Sequence, residues 1–132
     1  MQDGLDSTAT TRGVHVTAVA NFVPEQSHPL LGRWFFAYRI RISNLGDCSV
    51  QLLSRHWVIT DAHGSVEEVR GPGVVGEQPV LPPGETFEYT SFCPLETPFG
   101  TMEGSYEMIT AEGERFWATV SRFTLSQPLS NN

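Results

Sequence analysis

The sequence predicts an all-β protein, an antiparallel β-sandwich of about seven strands, and three observations carry that expectation. Hydrophobic residues recur with a period of two along most of the chain. Turn residues interrupt these runs at spacings of roughly 8 to 12 residues. No stretch keeps a helical period long enough to build a helix of consequence.

The elements follow in order. Val14, Val16, Ala18, Ala20 and Phe22 alternate with His15, Thr17 and Asn21, the pattern of a half-buried strand. The next run is stronger: Trp34, Phe36, Tyr38, Ile40 and Ile42 share one face, and Asn44-Leu45-Gly46-Asp47 closes it with turn residues. Val50 to Leu53 and His56 to Thr60 read as one strand kinked at Ser54-Arg55. Asp61-Ala62-His63-Gly64 then turns the chain into Ser65 to Val69. Thr86 to Phe92 sets Phe87, Tyr89 and Ser91 against Glu88, Thr90 and Phe92, and Thr97-Pro98-Phe99-Gly100 reads as the next turn. From Thr101 to Ile109, Met102, Gly104, Tyr106 and Met108 face opposite Glu103 and Glu107. Glu112-Gly113-Glu114 leads into Arg115 to Val120, with Phe123 and Leu125 as a last short strand or edge. Strands of this number and spacing fit a sandwich of the immunoglobulin or fibronectin type III kind, with a small barrel as the second choice.

The 132 residues, 39% of them hydrophobic, suffice for one domain with its own core. Residues 13–127 are assigned to it, with 1–12 and 128–132 as polar tails expected to be mobile. Fifteen acidic residues face eight basic ones, a net charge of -7, and all eight are arginines. That balance argues against nucleic acid and anionic membranes as partners, because both are held mainly by clustered positive charge. The lack of lysine removes Schiff-base chemistry and any phosphate-loop lysine. No apolar stretch approaches the roughly 20 residues that span a bilayer, and the start lacks the basic and apolar regions of a secretory signal. A cytoplasmic location is therefore expected, with Cys48 and Cys93 as reduced thiols rather than a disulfide.

Arg70-Gly71-Pro72-Gly73-Val74-Val75-Gly76 carries the glycine spacing of a dinucleotide-binding loop. The genuine loop opens a helix whose first amides hold the pyrophosphate. Pro79, Pro82, Pro83 and Gly84 prevent a helix here, so the Rossmann reading fails on context. Two readings survive: a loop whose glycines only shape the backbone, and a nest of amides at Gly71, Gly73 and Gly76 that holds an anion with help from Arg70 and Arg55. Glu67, Glu68 and Glu77 would oppose a polyphosphate there unless a divalent metal bridged them.

Ser54-Arg55-His56-Trp57, the Gly71–Pro79 loop, Leu81-Pro82-Pro83-Gly84-Glu85, Cys93-Pro94-Leu95 and Gly100-Thr101-Met102-Glu103-Gly104-Ser105-Tyr106 together resemble the ApaG family, over about residues 14–126. The resemblance implies a fibronectin type III-like sandwich, found as a stand-alone bacterial protein and as an accessory domain in eukaryotic F-box and polymerase-interacting proteins. The bacterial family takes its name from a gene neighbouring a diadenosine tetraphosphate hydrolase and has been linked to magnesium and cobalt homeostasis. It carries no settled molecular activity.

His56, Asp61 and His63 do not reproduce a metal-ligand spacing, and no Cys-x-x-Cys pair exists, so no metal site and no cofactor are expected. Ser54, His56 and Asp61 lack the nucleophile elbow and oxyanion hole of a hydrolase, and an enzyme is not expected. The aromatic residues are more suggestive, because one sheet can bury only one face. Trp34, Phe35 and Trp117, with Arg55 and His56, form the candidate interaction surface. The function that follows is a non-enzymatic module binding another protein. The alternative is a binder or sensor of pyrophosphate, nucleotide or dinucleoside polyphosphate through the glycine loop.

Overall fold

The structure, a computed structural model, describes residues 6–128. Nine strands form among them: β1 (Ser7–Thr11), β2 (Val14–Phe22), β3 (Trp34–Asn44), β4 (Val50–Asp61), β5 (Val66–Pro72), β6 (Val80–Leu81), β7 (Thr86–Leu95), β8 (Phe99–Thr110) and β9 (Arg115–Ser126). Single 3₁₀ turns at Pro24–Gln26 and Pro29–Leu31 are the helical elements of the described residues, and no helix is long and apolar enough to cross a membrane. All pairings are antiparallel. One sheet runs β1-β2-β3-β7, the other β5-β4-β8-β9, and β6 adds to β4 beyond the end of β5. The two sheets make the sandwich that the alternation predicts.

The inward faces meet as the sequence pattern requires. Val14, Val16, Ala18, Phe36, Tyr38, Ile40 and Ile42 from the first sheet bury against Leu52, Trp57, Met102, Tyr106, Met108, Ala118, Val120 and Phe123 of the second. Trp57 is the hub, in edge-to-face contact with Tyr38, Tyr106 and Phe123 at centroid separations of 5.5 to 6.0 Å. Such contacts add about 1 kcal/mol each beyond the area they bury. The Tyr89 and Tyr106 hydroxyls bond to each other at 2.5 Å, which satisfies two buried polar atoms at once. Gly104 lets β8 approach β4 beside Trp57: a Cβ there would collide with the His56 carbonyl oxygen.

The structure departs from the sequence reading at several places: β8 already begins at Phe99, inside the expected Thr97–Gly100 turn, and β6 is a short strand the alternation does not announce. Residues 7–11, taken as part of a mobile tail, are edge strand β1, joined to β2 by a tight turn with positive φ at Arg12 (48°) and Gly13 (84°). Positive φ at both central residues matches the twist of a hairpin, and Arg-Gly is a weaker signal for it than Asn-Gly. Residues 1–5 and 129–132 of the expected tails lie outside the described residues. The Val50–Asp61 segment is one strand, and its expected kink is a register shift centred on Leu53. Phe123 and Leu125 continue β9 past a second shift opposite Glu103 and do not form a separate strand.

The two sides of the sandwich differ. On one, β1 and β2 pack against β9, with the Thr119 amide donating to the Thr11 hydroxyl and Arg12 lying over the Phe116 ring. On the other, β5 and β7 are the outermost strands of their sheets, and a groove opens between them.

Candidate functional site

The groove has a wide mouth of about 710 Å³ and a narrower inner part of about 260 Å³, joined through Ile59, Glu67 and Pro94. Apolar walls at the mouth come from Trp34, Phe35, Val66 and Leu95, and acidic side chains from Asp61, Glu67 and Glu96. Deeper in, Tyr38, Trp57, Ser91 and Cys93 form the wall. Burial pushes the Tyr38 phenol up, partly offset by its hydrogen bond with Ser91. It also raises the Cys93 thiol to about 12, with Glu67 adding to the rise, so this cysteine is a protonated, unreactive wall residue. Among the described residues the buried indole N–H of Trp57 has no hydrogen-bond partner.

Beside the mouth an aromatic patch faces outwards. Phe35 pairs with Pro94 and Ala37 with Phe92 across β3 and β7, so all four lie on the outer face of the first sheet. Phe35 and Phe92 stack at 5.4 Å, and Phe92 is 56% exposed. Phe92 is not in the candidate surface read from the sequence, although an aromatic residue on the outward face beside Glu88 and Thr90 is a signal that could have placed it there. Its stacking partner is fixed only by the β3–β7 register.

The glycine loop is organised around the β4 irregularity. β5 leaves β4 at Pro72 and β6 rejoins it at Val80, while the carbonyl of the bulged Leu53 accepts from the Gly73 amide and the Gln78 side chain. The turn closes with reciprocal Val74–Glu77 amide–carbonyl bonds and positive φ at Val75 (42°) and Gly76 (81°). Val74 plugs the core at 1% exposure. Arg55 Nη1 donates to the carbonyls of Pro72 (2.9 Å) and Gly73 (3.0 Å), and its guanidinium lies against Gly71. The loop thus turns carbonyls toward a cation that the protein already supplies. Its Gly73, Val74 and Glu77 amides donate internally.

Arg70 and His56 are cross-strand neighbours on the outer face of the second sheet. His56 Nε2 donates to Glu68 at 2.8 Å and Arg70 reaches the same carboxylate at 3.4 Å. The His56 contact, then Arg70, hold the Glu68 carboxyl below its usual range. On the same face Ser54 and Arg115 donate to Glu107 and lower its carboxyl likewise. Trp117 lies there too, opposite Glu107 and 47% exposed. The candidate surface therefore divides: Trp34, Phe35 and Arg55 belong to the groove and its rim, whereas His56 and Trp117 lie on the far side of the second sheet. Trp34 is half-buried, its indole N–H donating to Gln127 at 2.9 Å.

Among the described residues no three His, Cys, Asp or Glu side chains gather in a way that could hold a metal ion. Cys48 and Cys93 are free. The arrangement is an open groove with apolar walls and three acidic side chains, of which Asp61 accepts from the His63 and Ser65 amides, bordered by the exposed Phe92 ring.

The ApaG domain model matches residues 24–110. A protein named ApaG from Azorhizobium caulinodans is 60% identical over 120 residues, 91% of this chain and 92% of its own length. The ApaG protein of Anaeromyxobacter dehalogenans is 53% identical over 126 residues, 96% of this chain and 99% of its own. The crystal structure of a Bordetella pertussis protein described as ApaA superposes with a TM-score of 0.86 at 50% identity, covering 89% of this chain and 95% of that one. Matched along its length by sequence and by three-dimensional structure, the chain belongs to the ApaG family.

Proposed function

We propose that this protein is a non-enzymatic binding module whose partner is another protein, engaged through the Phe35–Phe92 patch and the adjoining groove mouth. The stacked aromatic pair, half-buried Phe35 under exposed Phe92, supports this reading most. Aromatic residues are enriched at protein interfaces, and binding energy concentrates in such anchors. Pro94 and Ala37 extend the apolar area without adding charge. The anion-binding alternative has the glycine spacing in its favour, but the loop amides described above have internal acceptors and Arg55 is engaged with loop carbonyls. Catalysis has no lysine to draw on, and the Thr10 hydroxyl that meets the His15 ring at 2.7 Å sits on edge strand β1, at the opposite end of its sheet from β7 and the groove.

Affinity capture from a bacterial lysate, run in parallel with the parent protein and Phe92→Asp, tests the reading. A protein retained in stoichiometric amount by the parent and lost with the variant is the expected outcome. Calorimetry with pyrophosphate, ATP and diadenosine tetraphosphate, with and without magnesium, is expected to show no saturable heat. Saturable binding together with capture indifferent to Phe92 would transfer the function to the loop.

A further inference from the structure

The ion pairs of the described residues lie on the outside of the sandwich. Arg12–Glu114, Arg41–Glu88, Arg70–Glu68, Arg115–Glu107 and Arg122–Glu103 use five of the eight arginines, at 2.7 to 3.4 Å. The groove is different. Asp61, Glu67 and Glu96 line its mouth, and none of them takes part in an ion pair among the described residues. Arg33 shares the mouth, and Arg55 farther in is held by the Pro72 and Gly73 carbonyls, so the mouth keeps an excess of negative charge. The protein's overall charge of -7 reinforces it.

The shape adds a second constraint. The groove runs between two strand edges that are unpaired among the described residues, a form suited to an extended chain. Pro94 removes one donor from the β7 edge, whereas β5 has no proline before Pro72. The β5 edge is therefore the better template for an added strand.

We propose that the groove between β5 and β7 takes an extended peptide segment that runs along β5, presents a lysine or arginine to Asp61, Glu67 and Glu96, and places a neighbouring apolar side chain against Trp34, Ile59 and Leu95. This rests on the reading of the protein as a protein-binding module and gives the chemistry of the segment it binds.

Selection of a phage-displayed random decapeptide library against the intact protein tests it. Enriched peptides carry a basic residue next to an apolar one. Glu67→Lys weakens them at least about tenfold, roughly 1.4 kcal/mol, and binds the same peptides with glutamate in place of the basic residue. Glu112→Lys, an exposed reversal at the β8–β9 turn, changes affinity less than about twofold if general attraction by the acidic surface is screened at physiological salt. Amide shifts on binding fall at Glu67, Val69 and Ser91 and spare Thr119. Peptides without a basic residue, equal binding by Glu67→Lys, or no enrichment at all would each overturn the inference. If nothing enriches while Phe92-dependent capture persists, the groove assignment fails and the broader protein-binding reading stands.

Discussion

Arg55 and Arg70 are both arginines beside a glycine-rich loop, and their surroundings give them different work. Arg55 makes two charge-assisted bonds to loop carbonyls and lies against Gly71. Arg70 makes one long contact to an exposed glutamate. Arg55→Ala is expected to lower unfolding free energy by about 2 kcal/mol and Arg70→Ala by under about 1 kcal/mol, read from urea denaturation. Equal effects would remove the clamp from the description of the loop. The three tyrosines of the chain, Tyr38, Tyr89 and Tyr106, give a second residue-scale test, because burial raises all of them. A phenol whose folded pKa lies above its unfolded value of 10.0 stabilises the fold below that pH, and the contribution is lost as pH rises towards the folded value. Tyrosinate absorbance should therefore stay low near pH 10 and rise only with unfolding. A normal titration step in the still-folded protein would contradict the buried cluster.

At the level of elements, the strands with strict alternation were legible in the sequence. β2, β3, β7 and β8 place on their inner faces the residues that alternation selects, because a side chain's face follows from parity alone. Strand β1 was not legible: Ser7-Thr8-Ala9-Thr10-Thr11 is short and polar, and it is a strand because β2 offers it an edge. The groove escaped for a related reason. Glu67 and Trp34 are 33 positions apart in the chain, and only the strand order of the two sheets brings β5 and β7 to the same side. The loop was half legible, since its glycines and prolines excluded a helix but gave no hint that it caps the Leu53 bulge. Its glycines should respond unequally. At Gly73, φ is +61° and a Cβ would collide with the Glu77 carbonyl, whereas at Gly76 φ is +81° with open space around it. Gly76→Ala should cost about 1 kcal/mol from backbone strain, and Gly73→Ala clearly more, by chemical denaturation. The reverse order would show that the turn is held differently.

For the molecule as a whole, the two sides of the sandwich explain how one small fold can be both stable and receptive. The β1–β9 side is closed by packing, a backbone-to-hydroxyl bond and a cation over an aromatic ring. The β5–β7 side leaves strand edges, apolar walls and acids available. On the proposed reading, recognition belongs to the groove and the glycine loop is structural. The most direct test is an amide chemical-shift map of the isotope-labelled protein, recorded with magnesium pyrophosphate and then with the protein retained in the capture experiment. The expected result is no saturable shift at Gly71, Gly73 or Gly76 with pyrophosphate, and partner-induced shifts concentrated at Phe35, Phe92 and the groove mouth. Saturable pyrophosphate shifts at the three loop glycines, with Phe35 and Phe92 unmoved by the partner, would contradict it.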